Sequence, residues 1–175
     1  MSTLKNPVTQ DDHIQGDEDA PITLVEYGDY ECPYCGSAYP IVKRIQKHFG
    51  KRLRFVFRNF PIVEAHPDAG IAAMTAEFAA SQQKFWEMHD TLYENQNSLD
   101  LKDLLNYARV LGLSAPDLQV AIDTEAFADK IQADFMGGVR SGVSGTPMFF
   151  INGNRHNDSF EYDILLAAIE KASSH

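Results

Sequence analysis

The chain has 175 residues, 44% of them hydrophobic, with 11 Phe, 7 Tyr and 1 Trp. That is enough to bury roughly 70% of the unfolded surface in a core, so the composition excludes a disordered chain and needs no disulfide staple. Asp and Glu outnumber Lys and Arg by 25 to 15, a net charge of −10, which argues against nucleic acid as a partner because phosphate contacts need clustered cations.

In chain order, residues 1–12 read as a flexible polar arm. The N-terminal stretch has no apolar signal-like region and nothing in the chain reads as a membrane span. These features predict a cytoplasmic protein, or a periplasmic or secreted one if a leader was removed. Ile22–Tyr27 is the first strand pattern and leads directly into "CPYC". Behind it, Ala38, Ile41, Ile45 and Phe49 recur at helical spacing, with a kink expected at Pro40 and a stop at Gly50. Arg52–Pro61 reads as a second strand, which makes a βαβ unit with parallel strands.

Five helical patterns follow between residues 66 and 141, without a strand; Ser114 is the expected N-cap of the fourth. His66-Pro67 reads as a helix cap, His89 as a packing or surface residue, and the Trp86–Tyr93 aromatic stripe as core. Strand character returns at Thr146–Gly153, with Asn152-Gly153 as a hairpin turn and a short strand at Arg155–Asn157. A last helix follows, with Ser159 as its expected cap. The predicted organisation is an α/β domain of residues 13–63 and 142–175, interrupted by a helical subdomain of residues 64–141.

The chemistry centres on the only two cysteines, Cys32 and Cys35. A cysteine opening a helix meets backbone N–H groups and the positive end of the helix dipole, which favour its thiolate. Cys35 lies one turn on, placed to resolve a mixed disulfide. Pro33 suits the first helical position, and Tyr34 leaves an aromatic ring beside the nucleophile. Zinc is disfavoured: no second CxxC is present, and the six histidines offer no pair at ligand spacing. No metal and no cofactor are expected.

Glu26 precedes Cys32 by six residues on the incoming strand. If buried beneath Cys35, it would have a raised pKa and serve as that thiol's proton acceptor. Asp29 and Glu31 are expected at the rim, where their charge opposes the thiolate. Thr146-Pro147 starts a strand after "GVSG" and suits a cis bond whose preceding backbone pairs with an extended substrate.

"LVEYGDYECPYC", Pro40 eight residues after Cys32, and "GVSGTPMFFING" together resemble the thioredoxin fold. The long helical insert, with "FPIVEAHPDAG", "KFWEMHD" and "YENQ", is similar to the DsbA-like thiol:disulfide oxidoreductases. The resemblance covers roughly residues 13–172. It implies a thioredoxin-like fold with a central mixed sheet, Cys32 as attacking and Cys35 as resolving cysteine, a cis bond before Pro147, substrate contacts from Thr146, and Glu26 as the buried acid. Two departures argue against strong oxidising power: Tyr34 stands where the best-known periplasmic oxidants carry His, and "RFVFRNF" holds no lysine for the buried acid.

The function this implies is disulfide exchange with protein thiols by a monomer, recycled by a redox partner. Two alternatives stay open. A glutathione-linked glutaredoxin-like or transferase-like enzyme is suggested by Tyr34. A redox-switched binding or chaperone module is suggested by the helical insert.

Overall fold

The computed structural model describes residues 2–174; Met1 and His175 lie outside it. Five strands form one mixed sheet in the order β1-β3-β2-β4-β5. They are β1 (His13–Gln15), β2 (Ile22–Gly28), β3 (Leu53–Asn59), β4 (Met148–Ile151) and β5 (Asn154–Arg155). β2 and β3 run parallel, joined by helix α1 (Pro33–Phe49); the other pairings are antiparallel. The expected βαβ unit and the Asn152-Gly153 hairpin are both present, and α1 continues through Pro40.

Period-two alternation along β2 sorts its side chains. Ile22 and Leu24 face a core shared with Cys35, Ala38, Val42, Ile45 and Phe49 of α1. Val25 and Tyr27 face a second core with Val56, Phe60 and Phe150. Glu26 therefore shares the α1 face, opposite to Tyr27 as expected.

Five helices follow β3: α2 (Ala69–Ser81), α3 (Phe85–Tyr93), α4 (Leu101–Val110), α5 (Ala115–Asp123) and α6 (Ala128–Arg140). Ser114 caps α5, its side chain accepting from the Asp117 N–H at 3.2 Å. Helix α7 (Tyr162–Ser173) closes the chain.

Several local expectations are corrected. Strand β1 pairs with β3, although its three residues carry too little periodicity to read. Ser159 does not cap α7, which begins three residues later; its hydroxyl accepts from the Glu161 N–H at 3.0 Å instead. The short strand starts at Asn154 rather than Arg155. The stretch expected to be a flexible arm is fastened to the domain. Arg58 uses its fork on Asp12 at 2.8 and 2.9 Å, on the Asn6 and Pro7 carbonyls, and on the Tyr27 hydroxyl at 2.9 Å. Ser141 Oγ accepts from the Lys5 N–H at 2.9 Å.

Candidate active site

Cys32 is the N-cap residue of α1, in extended conformation, with Pro33 at the first helical position. Its N–H donates to the Asp29 carbonyl at 3.2 Å, and its carbonyl accepts from Gly36 N–H at 3.0 Å. This turn leaves Cys32 4% exposed and buries Cys35 fully. The two are free thiols 3.9 Å apart. Pro33 is exposed, and so is Tyr34, at 68%.

The two thiols are driven apart electrostatically. Cys32 is held down to about 5, first by the hydrogen bond from Cys35, then by Thr146 and by the N–H groups of Cys35 and Tyr34 at the helix start, against partial burial. Burial pushes Cys35 well up, reinforced by its bond to Cys32 and by the charges of Glu26 and Cys32.

Glu26 lies where alternation put it, 2% exposed, paired in register with Phe57 and Phe149. Burial raises its carboxyl to about 8, with a contribution from a charged Cys32. Its Oε2 has no hydrogen-bond partner among the described residues. Gly28 makes the space: a Cβ there would meet Phe57 Cε2 at 2.5 Å, Tyr93 Oη at 2.9 Å and Glu26 Oε2 at 3.0 Å.

The Thr146–Pro147 peptide is cis. The Cys32 thiol donates to the Thr146 carbonyl at 3.6 Å, across 114 positions of sequence. The Thr146 hydroxyl is buried and otherwise unpartnered, so it is available to donate to the thiolate. Cys32, Cys35, Glu26, Pro33, Tyr34, Thr146 and Pro147 thus meet at one end of the sheet.

Asp29 is not at the rim. It is 1% exposed and accepts from Glu31 N–H at 2.8 Å, Ile62 N–H at 2.9 Å and His66 Nδ1 at 2.8 Å. His66 is consequently no helix cap; Asp68 holds that position for α2. Partial burial works against a charged His66, but the bond to Asp29 and its charge outweigh it and raise the ring's pKa. Glu31 is half-buried, accepting from Asp68 N–H at 2.8 Å.

Gln96 is a further site residue, one that no motif or spacing rule marks. Its Nε2 donates to the Tyr30 carbonyl at 2.9 Å and the Cys32 carbonyl at 2.8 Å. It packs so closely on Gly36 that a Cβ there would overlap its carboxamide. The only sequence signal was its place in "YENQ". His89 is a core residue. It is 3% exposed and kept neutral by burial, and its Nδ1 is hydrogen-bonded with the Tyr30 hydroxyl at 2.9 Å.

A family model described as thioredoxin matches residues 8–171. The chain belongs to this thioredoxin family. BdbD from Bacillus subtilis, solved in its oxidised form, superposes with a TM-score of 0.89 at 25% identity, covering 99% of both chains. Wolbachia pipientis alpha-DsbA1 superposes with a TM-score of 0.82 at 23% identity, over 98% of this chain and 94% of that one. The fold is thioredoxin-like and DsbA-like, as the sequence resemblance implied. Among curated proteins, a Salinispora arenicola Na(+)/H(+) antiporter NhaA 1 is 44% identical over 170 residues, 97% of this chain but 26% of the antiporter. The chain spans about a quarter of the length of such relatives, and the antiport in their names is theirs. Among the described residues, no helix is long and apolar enough to cross a membrane. None of these descriptions names the cytoplasm, so the cytoplasmic placement expected from the sequence has no support in them.

Proposed function

We propose that the protein is a thiol:disulfide oxidoreductase that exchanges disulfides with protein substrates through Cys32 and Cys35. The observation that carries this is the split between the two thiols. Cys32 is held down to about 5, and the fully buried Cys35 is held well up. Only one of the pair is a nucleophile at neutral pH.

In the reducing direction, Cys32 thiolate attacks a substrate disulfide. A Cys32–substrate S–S bond forms, the substrate bond breaks, and one substrate thiolate leaves. The mixed disulfide removes the charge on Cys32, and with it one of the causes that keep Cys35 protonated. Loss of the Cys32 charge also eases ionisation of Glu26, which gives its proton to solvent; the Glu26 carboxylate then takes the Cys35 proton, and the Cys35 thiolate attacks Cys32 Sγ and releases the second substrate thiolate. The oxidising direction reverses these steps, returning two electrons and two protons to the pair from a substrate dithiol. A depressed Cys32 pKa stabilises the dithiol form, so the disulfide is the better oxidant. The departures at Tyr34 and in β3 pointed the other way. Recycling needs a partner that restores the starting redox state.

Cys32→Ser is expected to abolish turnover of a protein disulfide, and Cys35→Ser to accumulate a mixed disulfide with substrate. Full turnover without Cys32 contradicts the mechanism. The exposed Tyr34 ring favours one second reading, a glutathione-linked enzyme. Faster turnover of a glutathione mixed disulfide than of a protein disulfide would select it. Redox-dependent partner capture without multiple turnover would select a binding module instead.

A further inference from the structure

A second surface is linked to the site through hydrogen bonds of Asp29 and Glu31. A cleft of about 460 Å³ runs between the loop after β3, α2 and α6, within the roughly 300–1,000 Å³ typical of ligand clefts. Its apolar floor includes Val63, Ile71, Met74, Ile131 and Phe135. Val63 is 50% exposed although it lies among these apolar side chains. Among the described residues, the charged ones lining it are Glu64 and Glu125, both exposed.

The cleft is fastened to the nucleophile's turn. Asp29 holds the loop wall through Ile62 N–H and His66 Nδ1. Pro67 lines the cleft, and its neighbour Asp68 donates its N–H to Glu31, the residue before Cys32. The way from thiol to cleft therefore passes two further carboxylates, Glu31 and Asp68. The histidine along it, His66, is paired with Asp29 at 2.8 Å.

We propose that this cleft seats the segment flanking a substrate cysteine, an extended stretch with apolar side chains and at least one lysine or arginine. The proposal rests on the oxidoreductase reading and names its substrate class. The apolar floor supplies burial, and the Glu64 and Glu125 carboxylates select the charge. One end of the substrate segment reaches Cys32 while the flank lies against α2.

The test uses pre-oxidised protein and two synthetic dithiol peptides with the same apolar flank, one carrying two lysines and the other two glutamates. Each peptide dithiol gives two electrons and two protons to the Cys32–Cys35 disulfide, and acid-quenched samples report the rate. The lysine peptide is expected to react about tenfold faster at low ionic strength, a preference that fades in high salt. Reversing the cleft charges with Glu64→Lys and Glu125→Lys is expected to abolish the lysine-to-glutamate rate ratio. The control pair Glu18→Lys and Asp19→Lys makes the same change in net charge on the N-terminal loop and is expected to keep it. Replacing the apolar flank with serines should slow wild type about tenfold. Gly70→Leu, which grows a side chain towards Val63 from an ordinary contact of 3.5 Å, should erase that difference.

Equal rates for the two peptides, or a ratio lost equally in the control pair, would overturn the proposal. So would a wild-type dimer that Gly70→Leu breaks, since a second copy would then occupy the cleft. Dithiothreitol separates the two levels. No reaction with it sinks the oxidoreductase reading, whereas reaction with it but no lysine preference sinks only the cleft.

Discussion

At the residue scale the decisive groups are those whose charge the fold resists. Glu26 is buried with an unpartnered oxygen and a carboxyl raised to about 8. Its protonated form is favoured in the folded state, so its stabilising contribution is full below about pH 4.5 and is lost as pH rises through 8. In the reduced protein, Glu26→Gln should match wild type near pH 4 and be more stable at pH 8.5 and above, by about 4–5 kcal/mol. Urea unfolding across pH checks this; curves that stay parallel would contradict it. The same variant should slow release of Cys35-resolved product. Gln96 acts on the backbone instead. Gln96→Ala removes two hydrogen bonds from the active-site turn, which should cost about 1–3 kcal/mol. It should also raise the Cys32 pKa, read from the pH dependence of its alkylation. A stability loss with the pKa unmoved would make Gln96 merely structural.

At the element scale, much was legible because periodicity is local. β2, α1 and β3 follow from alternation and helical spacing, and Glu26 falls beneath the thiols because Ile22, Leu24 and Glu26 share one face of β2. What was hidden depended on distant partners. Strand β1 exists because β3 offers a free edge, and its three residues are too few to show a pattern. Asp29 looked like a rim residue because nothing near it in sequence announces that Ile62 and His66 will cover it. Gly28 shows how tightly the elements meet. Gly28→Ala would drive a methyl into Phe57 Cε2 and the Glu26 carboxyl, so it should destabilise by about 1–3 kcal/mol. Thermal unfolding reads that loss, and an unshifted midpoint would refute the crowding.

At the scale of the whole molecule, the chain's far ends converge on the sheet. Thr146 reaches Cys32 from 114 positions away, while the N-terminal stretch returns to β3 through Arg58. Arg58→Met leaves the buried Asp12 carboxylate without its fork, for a loss of about 3–5 kcal/mol. Hydrogen exchange should show residues 2–12 unprotected in that variant; protection unchanged from wild type would show that other contacts hold the arm. The spatial meeting of Thr146-Pro147 with the cysteines was legible only through family resemblance, since no spacing rule spans a helical insert. Asp12, Asn6 and Pro7 gave no sign of their shared partner, because a polar run reads as solvated until a buried arginine is seen to need it.

The proposed mechanism requires the ionisation of Cys32. Alkylation of the reduced protein by iodoacetamide, followed from pH 3 to 10 with peptide mapping to read Cys32 alone, measures it directly. A midpoint near 5 is predicted. A midpoint at or above about 8.5, that of a free thiol, would contradict the mechanism.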